Sequence, residues 1–475
     1  MQLKEIDSKQ GFSVKKVKLE VSKGNMVSNA GLGTIIELFD QSPLSKELAK
    51  CLPERKSNNT QGSYRMALIM LASLIHGNDC LDDIEEEFGD NPSAVVFFKG
   101  KIPVAKTFGD FLRDFDDGKI TALSQFLTTM GYSIRKHFLE SLPEKYRPKD
   151  KPYFAVDSTV HEQHGDKIEG CQFNYDGIWC LNSEVVFDEM GIAYAGTLQT
   201  GNTKPGVDGP HLLDQVLLPL RGDKIKAPHI KVAHVSGDSA YGFEEFIRTM
   251  QKHHVSFTIA ARRNIPWEPE IENFRDSDWI PHQYSIDEQL RFQKKKKNPS
   301  TRHYARWHWS PSWAPQLKFP IIIKKEWKED PVFQGAGHFH YHAVITNEDL
   351  ALNSYQDVYS RYLMRANLEN FIKEAKINFD AYHLPCLSFK ANHAFLLLLL
   401  IAANILRWVS LLTKPEKPHY AKKLRRKFIF QAGRLVSHAR QLTLKVSKKF
   451  KEEVDRLREA WGAKPIKVSP QFSSA

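Results

Sequence analysis

Several features that would restrict the function are scarce or missing. Cysteine accounts for 5 of the 475 residues and forms no Cys-x-x-Cys pair or Cys/His zinc pattern, which argues against a disulfide framework and a structural zinc site. No G-x-x-x-x-G-K-[ST] loop is present, so ATP hydrolysis by a P-loop is not expected. The opening residues, MQLKEIDSKQG, lack the apolar run of a signal peptide. A reduced, cytoplasmic protein is therefore expected.

Long hydrophobic runs are also rare. One stretch, AFLLLLLIAANILRWVSLLT, approaches the roughly 20 residues that a membrane-spanning helix needs, but Asn404 and Arg407 interrupt it. Its uninterrupted apolar part extends only from Ala394 to Ala403. This length predicts a buried helix in the core of a globular protein.

The positive charge is concentrated at one end. Lys and Arg number 67 against 56 Asp and Glu, a surplus of 11. From Lys414 onward there are 17 basic and 5 acidic side chains, so this tail carries the whole surplus. A basic tail on a near-neutral body favours an anionic polymer as partner. On charge alone, a merely solubilising extension is an equal alternative.

The hydrophobic pattern divides the chain into a helical part and a mixed α/β part. Residues 1–30 are polar and predict an arm. Residues 31–150 have helical periodicity, as in SYRMALIMLASLIHG, and predict an all-α domain. The segment PEKYRPKDKP marks its end.

Short β-rich runs follow this boundary. YFAVDSTV predicts a strand, and the next segment predicts two strands joined at DEMG, after which helices and strands alternate. An irregular segment with six tryptophans interrupts the pattern. We therefore predict an α/β domain over 151–262 and 338–413, split by a β-rich insertion at 263–337. The basic region 414–475 predicts a hairpin turning at Ala432–Gly433 and then a short helix.

The stretch RYLMRANLENFIKEAK, residues 361–376, has the pattern of a single amphipathic helix. At about 100° per residue, one stripe faces the core and contains Met364, Leu368, Phe371, Ile372 and Ala375. The stripe beside it contains Tyr362, Arg365, Glu369 and Lys376, with Lys373 just past them. This polar stripe is either a solvated face with ion pairs worth a few tenths of a kcal/mol, or a half-buried carboxylate held for metal or phosphate chemistry.

Two further acids come at predicted strand ends. Asp157 follows the apolar run YFAV, and Asp238 follows KVAHVSG just before a turn. Open α/β sheets display functional side chains at such places, although a capping or turn role is more common for one aspartate alone. Together with Glu369 they provide three carboxylates on three elements of one domain. Such a set suits Mg²⁺ or Mn²⁺, and paired ions can activate an attacking oxygen at a phosphodiester.

This combination resembles the DDE transposases of bacterial insertion sequences, which have a ribonuclease-H-like catalytic domain. Tyr362, Arg365, Glu369 and Lys376 match the spacing of the family's tyrosine–arginine–glutamate–lysine signature. FAVDST is similar to the strand of the first aspartate and GDSAYG to the turn of the second. The tail LRRKFIFQAGRLVSHARQLTLKVS is most similar to the thirteen-eighty insertion-sequence family.

The resemblance implies an enzyme that cuts and rejoins DNA at terminal inverted repeats, with two Mg²⁺ or Mn²⁺ ions held by Asp157, Asp238 and Glu369. The freed 3′-OH would attack the target, and no ATP would be needed. Double-stranded DNA is the implied partner, bound by a homodimer in a bacterial cytoplasm. A domesticated nuclease of the same fold and a catalytically silent DNA-binding protein are the alternatives.

The resemblance also extends to residues that would contact DNA. Tyr362, Arg365 and Lys376 would grip phosphates near the cleaved end, Arg as a bidentate fork and Lys as a point charge, with Lys373 beside them. In related transposases an aromatic side chain of the insertion can stack on a flipped base. Here the expected residue is Trp267. Further DNA contacts are expected from the neighbouring Arg262 and Arg263.

Overall fold

The fold is built around one large mixed sheet with helices packed against it. The computed structural model describes residues 25–54, 62–91, 94, 97–220, 231–294, 299–330, 336–438, 441–462 and 464–469. Its strands are β1 Asn25–Val27, β2 Tyr153–Glu162, β3 Gln172–Phe173, β4 Trp179–Asp188, β5 Ala193–Thr200, β6 His234–Gly237, β7 Ser256–Ala260, β8 Ile280–Pro281, β9 Arg302–Trp309, β10 Phe319–Glu329, β11 Gly337–Thr346, β12 Gly433–His438 and β13 Gln441–Val446.

Fourteen α-helices are found among the described residues. They are α1 Ala30–Gln41, α2 Pro43–Cys51, α3 Ser63–His76, α4 Asp82–Phe88, α5 Ala105–Arg113, α6 Asp117–Ser141, α7 Gly209–Leu217, α8 Glu244–Lys252, α9 Ile286–Lys294, α10 Tyr355–Leu363, α11 Ala366–Asn378, α12 Phe389–Thr413, α13 Ala421–Leu424 and α14 Lys448–Gly462. The expected mixed α/β architecture with a helical N-terminal part is therefore present.

The order of strands explains how the sheet presents a site. β4 lies antiparallel to both β5 and β2, whereas β2, β6 and β7 are mutually parallel neighbours. Beyond β7 the sheet continues through β11, β10, β9 and β8, all antiparallel. The strands predicted for the insertion are thus present, and they extend the main sheet.

The apolar helix α12 lies in the interior, as its composition predicts. It is long and apolar enough to cross a membrane by composition alone, yet 89% of its most apolar window is buried inside the protein. Its two interrupting polar residues have partners. The Asn404 amide bonds both the N–H and the C=O of Ala193 at 2.8 Å, and Arg407 donates to the Met190 carbonyl. Such bonds offset the cost of burying polar groups in a core.

The hydrophobic core continues from the N-terminal helices into the sheet. Side chains of α1 to α6 and of α12 belong to the same buried cluster as those of β2, β4 and β5. On α6, for example, Thr128 donates to the Tyr194 carbonyl of β5 at 2.7 Å. A domain division near residue 150 therefore stays a prediction.

Two terminal features differ from the expectations. The end of the expected arm forms β1, which pairs with β12, while residues 1–24 lie outside the described residues. The predicted turn at Ala432–Gly433 is wrong, because the hairpin pairs Gly433–His438 with Gln441–Val446. The preceding residues continue α13 as a wider helical turn, Arg425–Ile429, since Phe428 and Ile429 are buried on the helix's inner side.

Candidate active site

Asp157 lies where the sheet opens between two parallel strands. The sequence predicted it at the end of a strand, but β2 continues to Glu162 because its outer part still pairs with β4. Its pairing with β6, however, stops at Ala155, which lies opposite Ser236. Continuing this register by two residues puts Asp157 level with Asp238. Since β-strand side chains alternate between faces, the two carboxylates lie on the same face of the sheet.

Asp238 is fixed by the short turn that follows β6. One of its carboxylate oxygens accepts a hydrogen bond from the Ala240 N–H at 2.7 Å. Arg262 holds the same turn from outside by donating to the carbonyls of Ser239 at 2.9 Å and Ala240 at 2.5 Å. Arg262, which was expected to contact DNA, therefore stabilises this turn. It also lines the cleft in front of Asp157 and Asp238.

Glu369 is on α11, which is not continuous with α10. The stretch predicted as one helix bends at Met364–Arg365, where the N–H of Arg365 bonds the Tyr362 carbonyl three residues back. The Arg365 guanidinium then donates to Asp157 at 3.3 Å and to Glu369 at 2.9 Å, and it lies 5.7 Å from the centre of the Tyr362 ring. The bend thus brings three of the four signature residues into contact around one guanidinium.

The carboxylates repel one another electrostatically. The pKa of Asp157 rises to about 6 because the group is buried and close to Asp238, with Arg365 opposing the rise. The Glu369 side chain remains 57% exposed. Burial lowers the pKa of Lys376, and the negative charge of Asp157 partly compensates. The negative charge of these acids is therefore balanced by the two cations Arg365 and Lys376.

The donor set fits a hard divalent cation, which prefers carboxylate oxygens and would relieve the repulsion on Asp157. The three acids do not form a tight ligand cluster in this conformation. Among the described residues, the group whose ligand atoms lie within 4.8 Å of one another is the surface trio Asp79, Cys80 and Asp83. Arg365 contacts two of the three acids in place of a metal ion.

The sequence matches the family model described as transposase DDE domain, group 1, over residues 9–460. The chain belongs to this transposase family. A comparison with curated proteins found no match. Membership makes DNA the partner of the transposase and divalent metal ions the general requirement of its chemistry. It also agrees with the acids that β2, β6 and α11 bring together.

A cleft of about 690 Å³ opens in front of the two aspartates of the transposase. Asp157 and Asp238 line it together with three of the predicted DNA-contact residues, Arg262, Arg263 and Lys376. Lys373 lies elsewhere, in a neighbouring groove on another side of α11. The polar stripe predicted for one helix face therefore serves two separate concavities.

Trp267 does not lie in this cleft. It is only 6% exposed and belongs to the main hydrophobic core, because the chain turns inward after β7 and the Trp267 N–H bonds the Ile265 carbonyl. A base cannot stack on a ring that is buried in the core. The stacking role expected for Trp267 does not fit this position.

Tyr175 is a cleft residue that the sequence analysis missed. It lines the cleft and is 83% exposed, on a tight loop between β3 and β4. The Asn174 side chain accepts hydrogen bonds from the N–H groups of Asp176 and Ile178, and Gly177 takes a left-handed conformation with φ of 75°. The tetrapeptide Asn-Tyr-Asp-Gly between β-rich runs was the available signal, since Asn and Gly favour such turns.

Proposed function

We propose that the transposase excises and inserts an insertion sequence by hydrolysis and strand transfer at terminal inverted repeats. The observation that carries this proposal is the level placement of Asp157 and Asp238 on neighbouring parallel strands, with Glu369 joined to them through Arg365. Three acids with this arrangement are of little use for binding DNA, whose phosphates they repel. They are useful for holding cations that act on a phosphodiester.

A ribonuclease-H-like catalytic domain is the fold part of the proposal. Its support is topological: the spatial order β5–β4–β2–β6–β7 contains an antiparallel meander and then two parallel strands reached through α7 and α8. The proposed catalytic domain covers 151–262 and 338–413, with 263–337 as its insertion. Residues 31–150 would contribute DNA binding, and 414–475 a basic extension.

Asp157, Asp238 and Glu369 would hold two Mg²⁺ or Mn²⁺ ions. When bound, such ions activate an attacking oxygen and stabilise a leaving oxygen. Lys376 and Arg263 line the cleft as cations for phosphate oxygens. Arg365 would exchange its contacts with the acids for a bidentate phosphate contact, with its position kept by Tyr362.

The oligomeric state and the cellular location of the transposase follow from the proposed reaction. The element has two ends, and one chain supplies one set of these acids among the described residues, so cutting both ends together takes two copies. We propose a homodimer on DNA. The basic tail, whose residues resemble those of the thirteen-eighty insertion-sequence family, supports placement in that family and in a bacterial cytoplasm where the chromosome is accessible.

The test is nicking of a duplex that carries the inverted repeat found beside this coding sequence. Wild type should nick it with Mg²⁺ or Mn²⁺ and not with EDTA, and Ca²⁺ should inhibit because its longer bonds misplace the reacting oxygens. Asp157→Asn, Asp238→Asn and Glu369→Gln should each abolish nicking while retaining binding. Glu85→Gln, at an exposed position on α4, is the control and should behave as wild type.

The same assay separates the alternatives. Binding without nicking in any metal would identify a silent DNA-binding protein. Nicking without transfer of a pre-cleaved 3′-OH end into a plasmid would identify a nuclease. Nicking in EDTA would refute the metal-dependent mechanism, and near-wild-type nicking by one variant would remove that acid from the proposed ligand set.

A further inference from the structure

A second groove lies beside the catalytic cleft. It has a volume of about 790 Å³, and one of its walls is a face of α11 that includes Asn370, Lys373 and Ile377. The opposite wall is the helical segment Tyr420–Lys427. Because Lys376 lines the catalytic cleft and Lys373 lines this groove, the two concavities share one helix.

The second wall is an amphipathic helical surface whose exposed side is basic after Tyr420, which is 46% exposed at its start. Its buried positions are Ala421, Leu424, Arg425, Phe428 and Ile429. The exposed positions between them are Lys422, Lys423, Arg426 and Lys427. This four-residue alternation, which includes the wider turn Arg425–Ile429, fixes which cations face the groove.

Internal contacts hold the wall rigidly against α11. The Glu374 carboxylate accepts a hydrogen bond from the Ala421 N–H at 2.5 Å. Arg425 points inward, donating to the carbonyls of Leu74 and Ile75 at 2.8 Å and to the carbonyl of Asn378. The groove is therefore formed before any ligand arrives, and its remaining cations are not needed to build it.

The groove cations have no acidic partners among the residues that the structure describes. In the described part of the chain, none of Lys373, Lys422, Lys423, Arg426 and Lys427 is in an ion pair. Some exposed cations on other helices do have such partners. On α8, for example, Arg248 bonds Glu244 at 2.8 Å and Lys252 bonds Asp214 at 2.7 Å.

The positive potential also acts on a nearby titratable group. Burial is the largest cause that lowers the pKa of His419. The charges of four lysines lower it further, and they are, with the largest effect first, Lys423, Lys427, Lys414 and Lys417. Five unpaired cations in one groove repel each other, so an anionic ligand would stabilise this arrangement. A row of cations along a groove wall fits a polyanion with regularly spaced charges.

We propose that this groove binds the phosphate backbone of the same DNA end whose phosphodiester lies in the catalytic cleft. Lys373 and Lys376 are three residues apart, about 4.5 Å along the axis of α11, and each lines one of the two neighbouring concavities. A strand that contacts Lys376 can therefore continue past α11 to the cations of the second wall. This inference rests on the proposed function, because it takes the cleft to be the site of DNA cleavage.

The test compares two double variants with a matched control. Lys422→Gln/Arg426→Gln and Lys423→Gln/Lys427→Gln each remove two groove cations spaced by four residues. Arg248→Gln/Lys252→Gln removes one Arg and one Lys at the same spacing from α8, so the first variant and the control lose the same charges, one pair from the groove and the other from an ion-paired surface. Circular dichroism and thermal melting check that all three are folded.

The measurement is affinity for two duplexes across a salt series: one with the terminal repeat and its flank, and one of mixed sequence and equal length. Losing two phosphate contacts should flatten the slope of log K against log[salt] by about 1.8 for the repeat duplex. Over a fourfold increase in salt, wild type should therefore lose about 12-fold more affinity than either groove variant. The control should keep the wild-type slope.

The outcomes distinguish this inference from the proposed function. If both groove variants keep the slope of the wild type, and the wild-type protein nicks DNA, the groove is refuted as a DNA surface and the proposed function stands. If the groove variants have flattened slopes but the wild-type protein does not nick DNA, the groove is supported and the proposed function is refuted. If the groove variants bind end DNA normally but transfer pre-cleaved ends poorly into a plasmid, the groove holds target DNA and the assignment to end DNA is wrong.

Discussion

Replacing Glu184 by Gln should change how the stability of the transposase depends on pH. Glu184 is a fully buried residue of β4, directly opposite Ser158 of β2, so it lies next to the strand that carries Asp157. One of its carboxylate oxygens accepts a hydrogen bond from the Gly206 N–H. The other has no hydrogen-bond partner among the described residues.

The magnitude follows from the pKa of this carboxyl. Burial, opposed by the Gly206 hydrogen bond and aided by Asp208, raises the pKa of Glu184 from 4.5 to about 7. One pKa unit is equivalent to about 1.4 kcal/mol, so the rise corresponds to about 3 kcal/mol. Because the folded-state pKa is the higher one, this stability is present below pH 4.5 and is lost as pH rises through about 7.

Glutamine has a similar shape, keeps an acceptor for Gly206 and does not titrate. We therefore expect the stability of Glu184→Gln relative to wild type to grow by about 3 kcal/mol between pH 4.5 and pH 8. Urea unfolding followed by circular dichroism at several pH values measures this difference. Glu85→Gln makes the same change at an exposed position and should run parallel to wild type. A parallel curve for Glu184→Gln as well would refute the reasoning.

Three further predictions address the cleft and the core. Arg365→Ala and Lys376→Ala should each weaken binding of terminal-repeat DNA and flatten its salt dependence by about one unit. Unchanged slopes would return both residues to an ordinary solvated face, where the loss of an exposed ion pair costs under about 1 kcal/mol. Tyr175→Ala should lower affinity for the same DNA by about 5- to 150-fold if the ring stacks on a base, and Tyr175→Phe should retain it; equal affinities of all three proteins would exclude stacking. Asn404→Leu should destabilise the fold by about 1–3 kcal/mol for each polar group of Ala193 left unpaired, measured by urea unfolding, and a more stable variant would contradict the role given to this amide.

The sequence predicted the features that depend on local composition. The burial of α12 followed from its apolar run, and the bonds of Asn404 and Arg407 explain why two polar residues did not prevent it. The positions of Asp157 and Asp238 beside strands were also correct in outline. Local patterns could not give the register that puts the two aspartates level, since this depends on pairing between strands far apart in the chain.

Features that depend on distant partners were missed. Nothing in residues 361–376 signals the bend between α10 and α11, because it lacks Pro or Gly and is held by a contact between Arg365 and a residue 208 positions earlier. Trp267 and Tyr175 are both aromatic residues in polar surroundings by sequence, yet one is packed in the core and the other is exposed at the cleft. Exposure is a tertiary property, so composition could not separate them.

Arg365 links the signature spacing to the charge balance of the cleft. Its guanidinium must reach Asp157 on the sheet while bonding Glu369 one helical turn further along α11, and only a bend directly before α11 gives it both partners. The same contacts oppose the rise in the pKa of Asp157 that burial and the nearby charge of Asp238 cause. A cation that binds the acids would compete with this guanidinium and free it to face a phosphate. The four-residue spacing from Arg365 to Glu369 therefore serves the fold in this state, and the proposed function gives it a second use in binding DNA.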